Sequence, residues 1–317
     1  MKMKNAFAVV NTSLIVLLLA ACSALKTQSV PTQAMPTNTV QPATGKEYRF
    51  VTDKLLIPTT LEQSQAYALN VDGDSQGHTD NMLGTLLSFL TSAAPSLKLQ
   101  SNLDEVVKTG EVVTLHVVKE DNPQNDTNVS WTLFLGEKSQ SAPKFDGTDN
   151  FKVAAGVPSN VPVAGSLTNG HFKGGPGTAK IKMFLLGQSV DINLIGVRLE
   201  ADFSEKGCAN GKMGGGVTVE EFQGKLLPAI TVGLNQVIKT DQAVAKTLLQ
   251  TFDSDQNGTI TTQEIEGNPL LMVVASPDLD LLDASGKFNP GQDGVKDSYS
   301  VGFGFTCVAA TFNVPVE

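Results

Sequence analysis

From Lys180 to Phe203 the chain alternates polar with apolar residues, and this alternation constrains the fold more than any other feature. Lys180-Ile-Lys-Met-Phe-Leu185, Asp191-Ile-Asn-Leu194 and Val197-Arg-Leu-Glu-Ala-Asp-Phe203 send successive side chains to opposite faces. Such segments are stable in a sheet that buries one face and wets the other. Gly196, where the alternation breaks, predicts a bulge. Shorter runs rich in β-branched and aromatic residues read as further strands: Tyr48-Arg-Phe-Val51, Gln65-Ala-Tyr-Ala-Leu69, residues 111–118, residues 129–135, residues 279–283 and a final stretch over 298–312. Turn dipeptides separate them, among them Asp146-Gly147 and Asn169-Gly170, and Gly174-Gly175-Pro176-Gly177 reads as a turn as well. Residues 207–216, with glycine at 207, 211, 214, 215 and 216, read as a loop or hairpin. The expectation is a mainly β chain with a helical insertion (α+β), its antiparallel strands forming a β-sandwich or an open barrel.

Two segments carry helical patterning. Residues 79–92 place Met82, Leu83, Leu86, Leu87, Phe89 and Leu90 on a buried side. From about 217 to 276 the pattern is helical again, opening on the capping box Thr218-Val-Glu-Glu221, with Pro228 kinking or splitting the first helix. Asp241 then caps a helix whose apolar face is Val244, Leu248, Leu249 and Phe252. That helix leads into Asp253-Ser-Asp255-Gln-Asn257-Gly258-Thr259-Ile260-Thr261-Thr-Gln-Glu264. Oxygen-bearing residues stand at positions 1, 3, 5 and 9, glycine at 6, a β-branched apolar residue at 8 and glutamate at 12. The stretch resembles the calcium loop of EF-hand proteins. The resemblance implies Ca2+ held by Asp253, Asp255 and Asn257, by the backbone carbonyl of Thr259, by Thr261 directly or through water, and by both oxygens of Glu264. A second helix is expected over 264–275, interrupted at Asn268-Pro269.

A second acidic stretch, Asn70-Val-Asp72-Gly-Asp74-Ser-Gln-Gly-His-Thr-Asp80, is similar to the calcium loops of dockerin and thrombospondin type 3 repeats. Asn stands where those loops begin with Asp, and two extra residues precede the final Asp. Two readings stay open: a second metal loop through Asn70, Asp72, Asp74 and Asp80, or a helix-capping turn with solvated carboxylates. Residues 289–297 keep only Asp293-Gly-x-x-Asp297 and read as a hairpin turn.

At the N-terminus, Lys2 and Lys4 precede an apolar run over residues 6–21, too short for a lasting membrane span and patterned as an export signal. Leu19-Ala20-Ala21-Cys22 resembles the bacterial lipobox, which implies cleavage before Cys22 and its acylation as a membrane anchor. Ser23 after the cysteine leans toward the outer membrane of a Gram-negative envelope. Residues 22–46, rich in Thr, Gln, Pro and Ser, bury too little to order themselves and read as a flexible tether. The folded part is then residues 47–317.

The net charge of −9 becomes −11 once Lys2 and Lys4 leave with the signal, and no basic cluster exists. Nucleic acid is thereby a poor partner. With Cys22 acylated, Cys208 and Cys307 remain, to be read as one disulfide or as two buried thiols. His78, His116 and His171 lack the paired spacing of a zinc site, and no nucleophile elbow, zincin helix or phosphate loop occurs. His116 reads as a half-exposed strand residue.

Residues 47–317 loosely resemble a group of predicted bacterial lipoproteins that combine an Asp-rich loop after the first strand, an EF-hand and a closing Asp-Gly-x-x-Asp-Ser. That resemblance implies no activity. The expected function is a calcium-binding cell-envelope lipoprotein, more a structural or interaction protein than an enzyme, in which Ca2+ stabilises the fold. The alternative is an envelope hydrolase or a glycan-binding protein with a calcium-ordered site, the latter presenting aromatics such as Tyr48, Tyr67 or Trp131 to a protein or glycan partner.

Overall fold

Every segment with sustained alternation forms a strand. The computed structural model describes residues 45–156, 160–269 and 276–314, so the expected signal, Cys22 and nearly all of the tether lie outside the described residues. The strands are β1 (Lys46–Leu56), β2 (Thr114–Glu120), β3 (Asn125–Leu135), β4 (Val163–Thr168), β5 (His171–Leu185), β6 (Gln188–Ser204), β7 (Gly207–Thr218) and β8 (Ser298–Ala309). Each pairs antiparallel with its neighbour in sequence, and β8 returns to pair with β1, Phe50 opposite Ala309. The sheet is therefore a closed eight-stranded barrel, neither a sandwich nor open. Closure pairs the two edges that an open sheet would leave bare and turns the alternating apolar face inward.

That inward face is aromatic. Trp131, with no exposed surface, meets Phe172 at 5.0 Å, Phe305 at 6.3 Å and Phe203 at 6.4 Å between ring centres, contacts that cross from β3 to β5, β8 and β6. Phe50 and Tyr48 of β1 join the cluster against Phe203. Truncating a ring such as Trp131 to Ala would cost about 3–5 kcal/mol.

His116 lies in this interior, 1% exposed rather than half-exposed, stacked on Phe305 at 5.4 Å. Trp131 Nε1–H donates to its Nδ1 at 3.1 Å, and its Nε2 lies 2.7 Å from Thr52 Oγ1. An indole nitrogen can only donate, so Nδ1 accepts and Nε2 carries the proton that goes to Thr52. Burial pushes the imidazole down to about 3, which keeps it neutral.

The local chemistry explains the elements that depart from expectation. Residues 207–216 form strand β7, because its glycines serve packing rather than turning. Gly214 and Gly302 face each other across β7 and β8, on the outer surface against which Tyr67, Leu69 and Asn81 pack. A methyl on Gly302 would stand 2.5 Å from the Tyr67 carbonyl oxygen. Residues 65–69 do not form a strand. The Thr60 side chain accepts from Gln63 N–H and starts helix α1 (Leu61–Ala66), which leaves Leu69 with only an isolated bridge to Asp80. Residues 279–283 likewise contribute only isolated bridges, and Gly174-Gly175-Pro176-Gly177 lies inside β5 at a register shift against β6. Gly196, at φ +63°, is skipped in the β5–β6 pairing as a bulge.

The helices enter as two insertions. Between β1 and β2 lie α1, α2 (Met82–Ala93) and α3 (Leu99–Lys108). Between β7 and β8 lie α4 (Val219–Glu221), a π-type turn over Phe222–Leu226, α5 (Leu227–Thr240), α6 (Gln242–Phe252) and α7 (Thr262–Glu266). The π-type turn sits just before Pro228, where the missing N–H disturbs the regular ladder. Leu87, Leu103, Leu227, Leu234 and Leu248 are buried in the same apolar cluster as the barrel rings, so both insertions are part of one core. The second helix expected over 264–275 is described only as α7, closed by Gly267, and residues 270–275 lie outside the described residues.

Cys208 and Cys307 are register partners on β7 and β8, and their sulfurs are bonded. The bridge thus joins two adjacent barrel strands rather than a loop to a strand.

Candidate metal centre

The loop between α6 and α7 folds back on itself through its own side chains. Asp241 accepts from Ala243 and Val244 N–H to start α6, whose Val244 and Leu248 are buried. After Phe252 the chain turns sharply, with Gln256 at φ +58° and Gly258 at φ +85°. Ile260 is 2% exposed and anchors the middle of the loop in the core.

Around that anchor the acidic groups converge. One carboxylate oxygen each from Asp253, Asp255 and Glu264 lie within 4.8 Å of one another, the one such acidic or nitrogen–sulfur cluster among the described residues. Asp253 accepts from Asn257 N–H at 3.0 Å and from Gly258 N–H at 2.8 Å, and Asp255 accepts from Asn257 N–H at 3.1 Å. Glu264 reaches back across the loop. Its Oε1 accepts from Ser254 N–H at 2.8 Å and Asp255 N–H at 3.3 Å, while Oε2 accepts from Thr261 N–H at 2.9 Å. The Thr261 hydroxyl completes a capping box with Glu264. Thr261 above all, with Asp255 and Ser254 adding, holds the Glu264 carboxyl down at about 2, so it is ionised throughout the neutral range.

Asp253, Asp255 and Glu264 are brought together. The Asn257 side-chain Oδ1 accepts from Thr259 N–H at 2.9 Å, and the Thr261 hydroxyl serves the helix cap. The donor set is all oxygen, with no nitrogen or sulfur, which fits a hard divalent cation.

The loop over 70–80 is arranged differently. Asp80 accepts from Val71 N–H at 3.0 Å, Asp72 from Asp74 N–H at 3.1 Å, and Asp74 pairs with His78 Nδ1 at 2.7 Å. Asn70 gives its amide N–H to the Asp74 carbonyl at 2.9 Å. Asn81 caps α2 by accepting from Gly84 N–H at 3.0 Å. A cation is already present: half-buried Arg198 donates to the Val71 carbonyl at 3.2 Å and feels the charges of Asp72 and Asp80. Burial, helped by Asp72, Asp278 and Asp74, raises the Asp80 carboxyl to about 6. Asn70 and Asp72 are thus both tied to Asp74, Asp80 is tied to Val71, and Asp72, Asp74 and Asp80 do not form a cluster of the kind found at 253–264. At 289–297, Asp297 accepts from Leu281 and Leu282 N–H, tying that bend to the preceding segment.

Two aromatics that could have offered a sugar platform, Trp131 and Tyr48, are buried in the barrel. No protein-family model matches this chain, and no curated protein or solved structure matches it significantly.

Sequence reasoning missed Asn235 of α5, whose side chain bonds both polar groups of Ile260. It lies 25 residues before Ile260, and no local pattern marks it.

Proposed function

We propose that this chain is a calcium-binding lipoprotein of the bacterial cell envelope, with the ion in a structural role at the 253–264 loop. The observation that carries the reading is the convergence of Asp253, Asp255 and Glu264 at the junction of two helices that both pack into the core. Three like charges this close repel one another, and a divalent cation relieves that repulsion while accepting their oxygens. On this reading Glu264 supplies both carboxylate oxygens and Thr259 its carbonyl. Filling the loop would fix α6 against α7, and through Leu248 and Ile265 would fix their seat on Phe222, Leu227 and Leu234. The Leu19-Ala20-Ala21-Cys22 motif supports anchoring through acylated Cys22, leaning toward the outer membrane, with the tether lifting the barrel off the lipid.

A ligand that binds only the folded state at 100 times its dissociation constant adds about 2.7 kcal/mol. Thermal unfolding of the purified protein with calcium and with chelator tests this. Calcium raises the midpoint of the wild type, and Glu264→Gln removes most of the rise. Equal midpoints with and without calcium in the wild type would refute a structural role for the loop.

A further inference from the structure

We infer that Asn235 is a positioning residue for the candidate metal centre: its side-chain amide holds the Thr259–Ile260 peptide so that the Thr259 carbonyl faces away from α5. The inference rests on the metal reading above and deepens it.

The Asn235 amide is fully engaged. Its Oδ1 accepts from Ile260 N–H at 2.9 Å, and its Nδ2 donates to the Ile260 carbonyl at 2.6 Å and to the Thr231 carbonyl at 2.9 Å. With both N–H groups committed to carbonyls, the amide has one workable orientation. The helix beneath it is held as well. Gly233 lies against Leu186 in the β5–β6 turn so closely that a Cβ there would be 2.5 Å from the Leu186 Cβ. Asn235 is thus a fixed post on the barrel, and Ile260, buried beside it, is the residue it grips.

The consequence follows from peptide geometry. In a trans peptide the N–H and the preceding C=O point in opposite directions. Pinning Ile260 N–H onto Asn235 therefore sends the Thr259 carbonyl, the expected main-chain ligand, away from α5. The next peptide provides a check. Pinning the Ile260 carbonyl onto Asn235 should send Thr261 N–H away from α5, and that N–H does reach Glu264 Oε2 at 2.9 Å. One neutral side chain sets two adjacent peptide planes, and the far side of the second meets a member of the carboxylate cluster. The rest of the loop from Ser254 to Thr259 is exposed and has no comparable hold on the barrel.

The test uses the purified full chain, titrated with calcium by calorimetry and loaded with terbium to count bound waters from luminescence lifetimes in H2O and D2O. Asn235→Leu is expected to weaken calcium binding at least tenfold and to add one water to the terbium shell where the Thr259 carbonyl is lost. Asn235→Asp keeps an acceptor for Ile260 N–H and is expected to retain the wild-type water count. Asn235→Ala carries the same expectation as Asn235→Leu should the larger residue prevent folding. A lower melting temperature with unchanged affinity and water count would reduce Asn235 to a packing contact and overturn the inference. A wild type that binds neither ion would overturn the metal reading and the positioning role together.

Discussion

Acidification should destabilise this protein through His116 by an amount that one variant isolates. The folded imidazole holds its proton-free Nδ1 against the Trp131 N–H and titrates at about 3, whereas an unfolded histidine titrates near 6.5. Between those values the unfolded chain binds one more proton than the folded one, so stability falls as pH drops through the window. Each pH unit is worth about 1.4 kcal/mol, so at pH 4 the wild type should have lost about 3 kcal/mol through this residue alone. Protonation at Nδ1 would also set two N–H donors face to face inside the barrel. His116→Gln removes the titration while keeping an acceptor and a donor on one side chain. The assay is urea unfolding followed by circular dichroism from pH 7.5 to pH 4. The variant is expected to be the less stable protein at pH 7.5, through lost stacking on Phe305, and to lose less on acidification, so the two profiles converge. Parallel profiles would refute the buried neutral ring, as would an imidazole whose nitrogen shifts report a proton on Nδ1 at pH 7.

Asp80 should behave with the opposite sign. Its folded carboxyl is raised to about 6, so the folded state binds the extra proton below that value. Asp80→Asn should therefore raise the melting temperature at pH 7.5 and have a smaller effect at pH 5; a larger gain at pH 5 would contradict the assigned burial. Gly302→Ala drives a methyl toward the Tyr67 carbonyl and Asn81, where backbone cannot yield cheaply, and should cost about 1–3 kcal/mol by urea unfolding. Gly224→Ala, with no atom within 4 Å of its added methyl, is the control and should be close to neutral.

What the sequence discloses depends on how far apart the interacting residues stand. Strand β6 is legible because the alternation of Val197 to Phe203 is a local record of a two-sided environment. The 253–264 loop is legible for the same reason, since Asp253, Asp255, Thr261 and Glu264 find their hydrogen-bond partners within a dozen residues. Barrel closure is not legible, because Phe50 and Ala309 carry no mark of each other. Strand β7 was hidden because its glycines answer to Leu69, Leu281 and Phe305, all far along the chain, and look like turn residues when read locally. Residues 65–69 misled in the other direction. Their strand-like composition is overruled by the Thr60 cap and by packing of Tyr67 on Gly304.

The barrel also bears on where function can reside. Its interior is filled by Phe50, His116, Trp131, Phe172 and Phe305, each at most 1–2% exposed, so the strands enclose a packed core rather than a channel. Outward positions of β5 and β6 instead carry ion pairs, Lys173 with Glu200 and Lys182 with Asp191, while outward Val51, Leu115 and Val117 pack with Phe151, Ala310 and Phe312. A lipid-embedded barrel requires the reverse, apolar outside and polar within. No helix among the described residues is long and apolar enough to cross a membrane. On the proposed envelope reading, Cys22 would supply a membrane attachment from outside the barrel. The same reasoning moves the chemistry to the insertions, where the carboxylates of the 253–264 loop stand at the surface while the helices beside them reach the core. If calcium is the ion held there, its binding should protect the amides of α6 from hydrogen exchange more than those of β3. Equal protection of both would mean that the loop's metal does not act through the helices beside it.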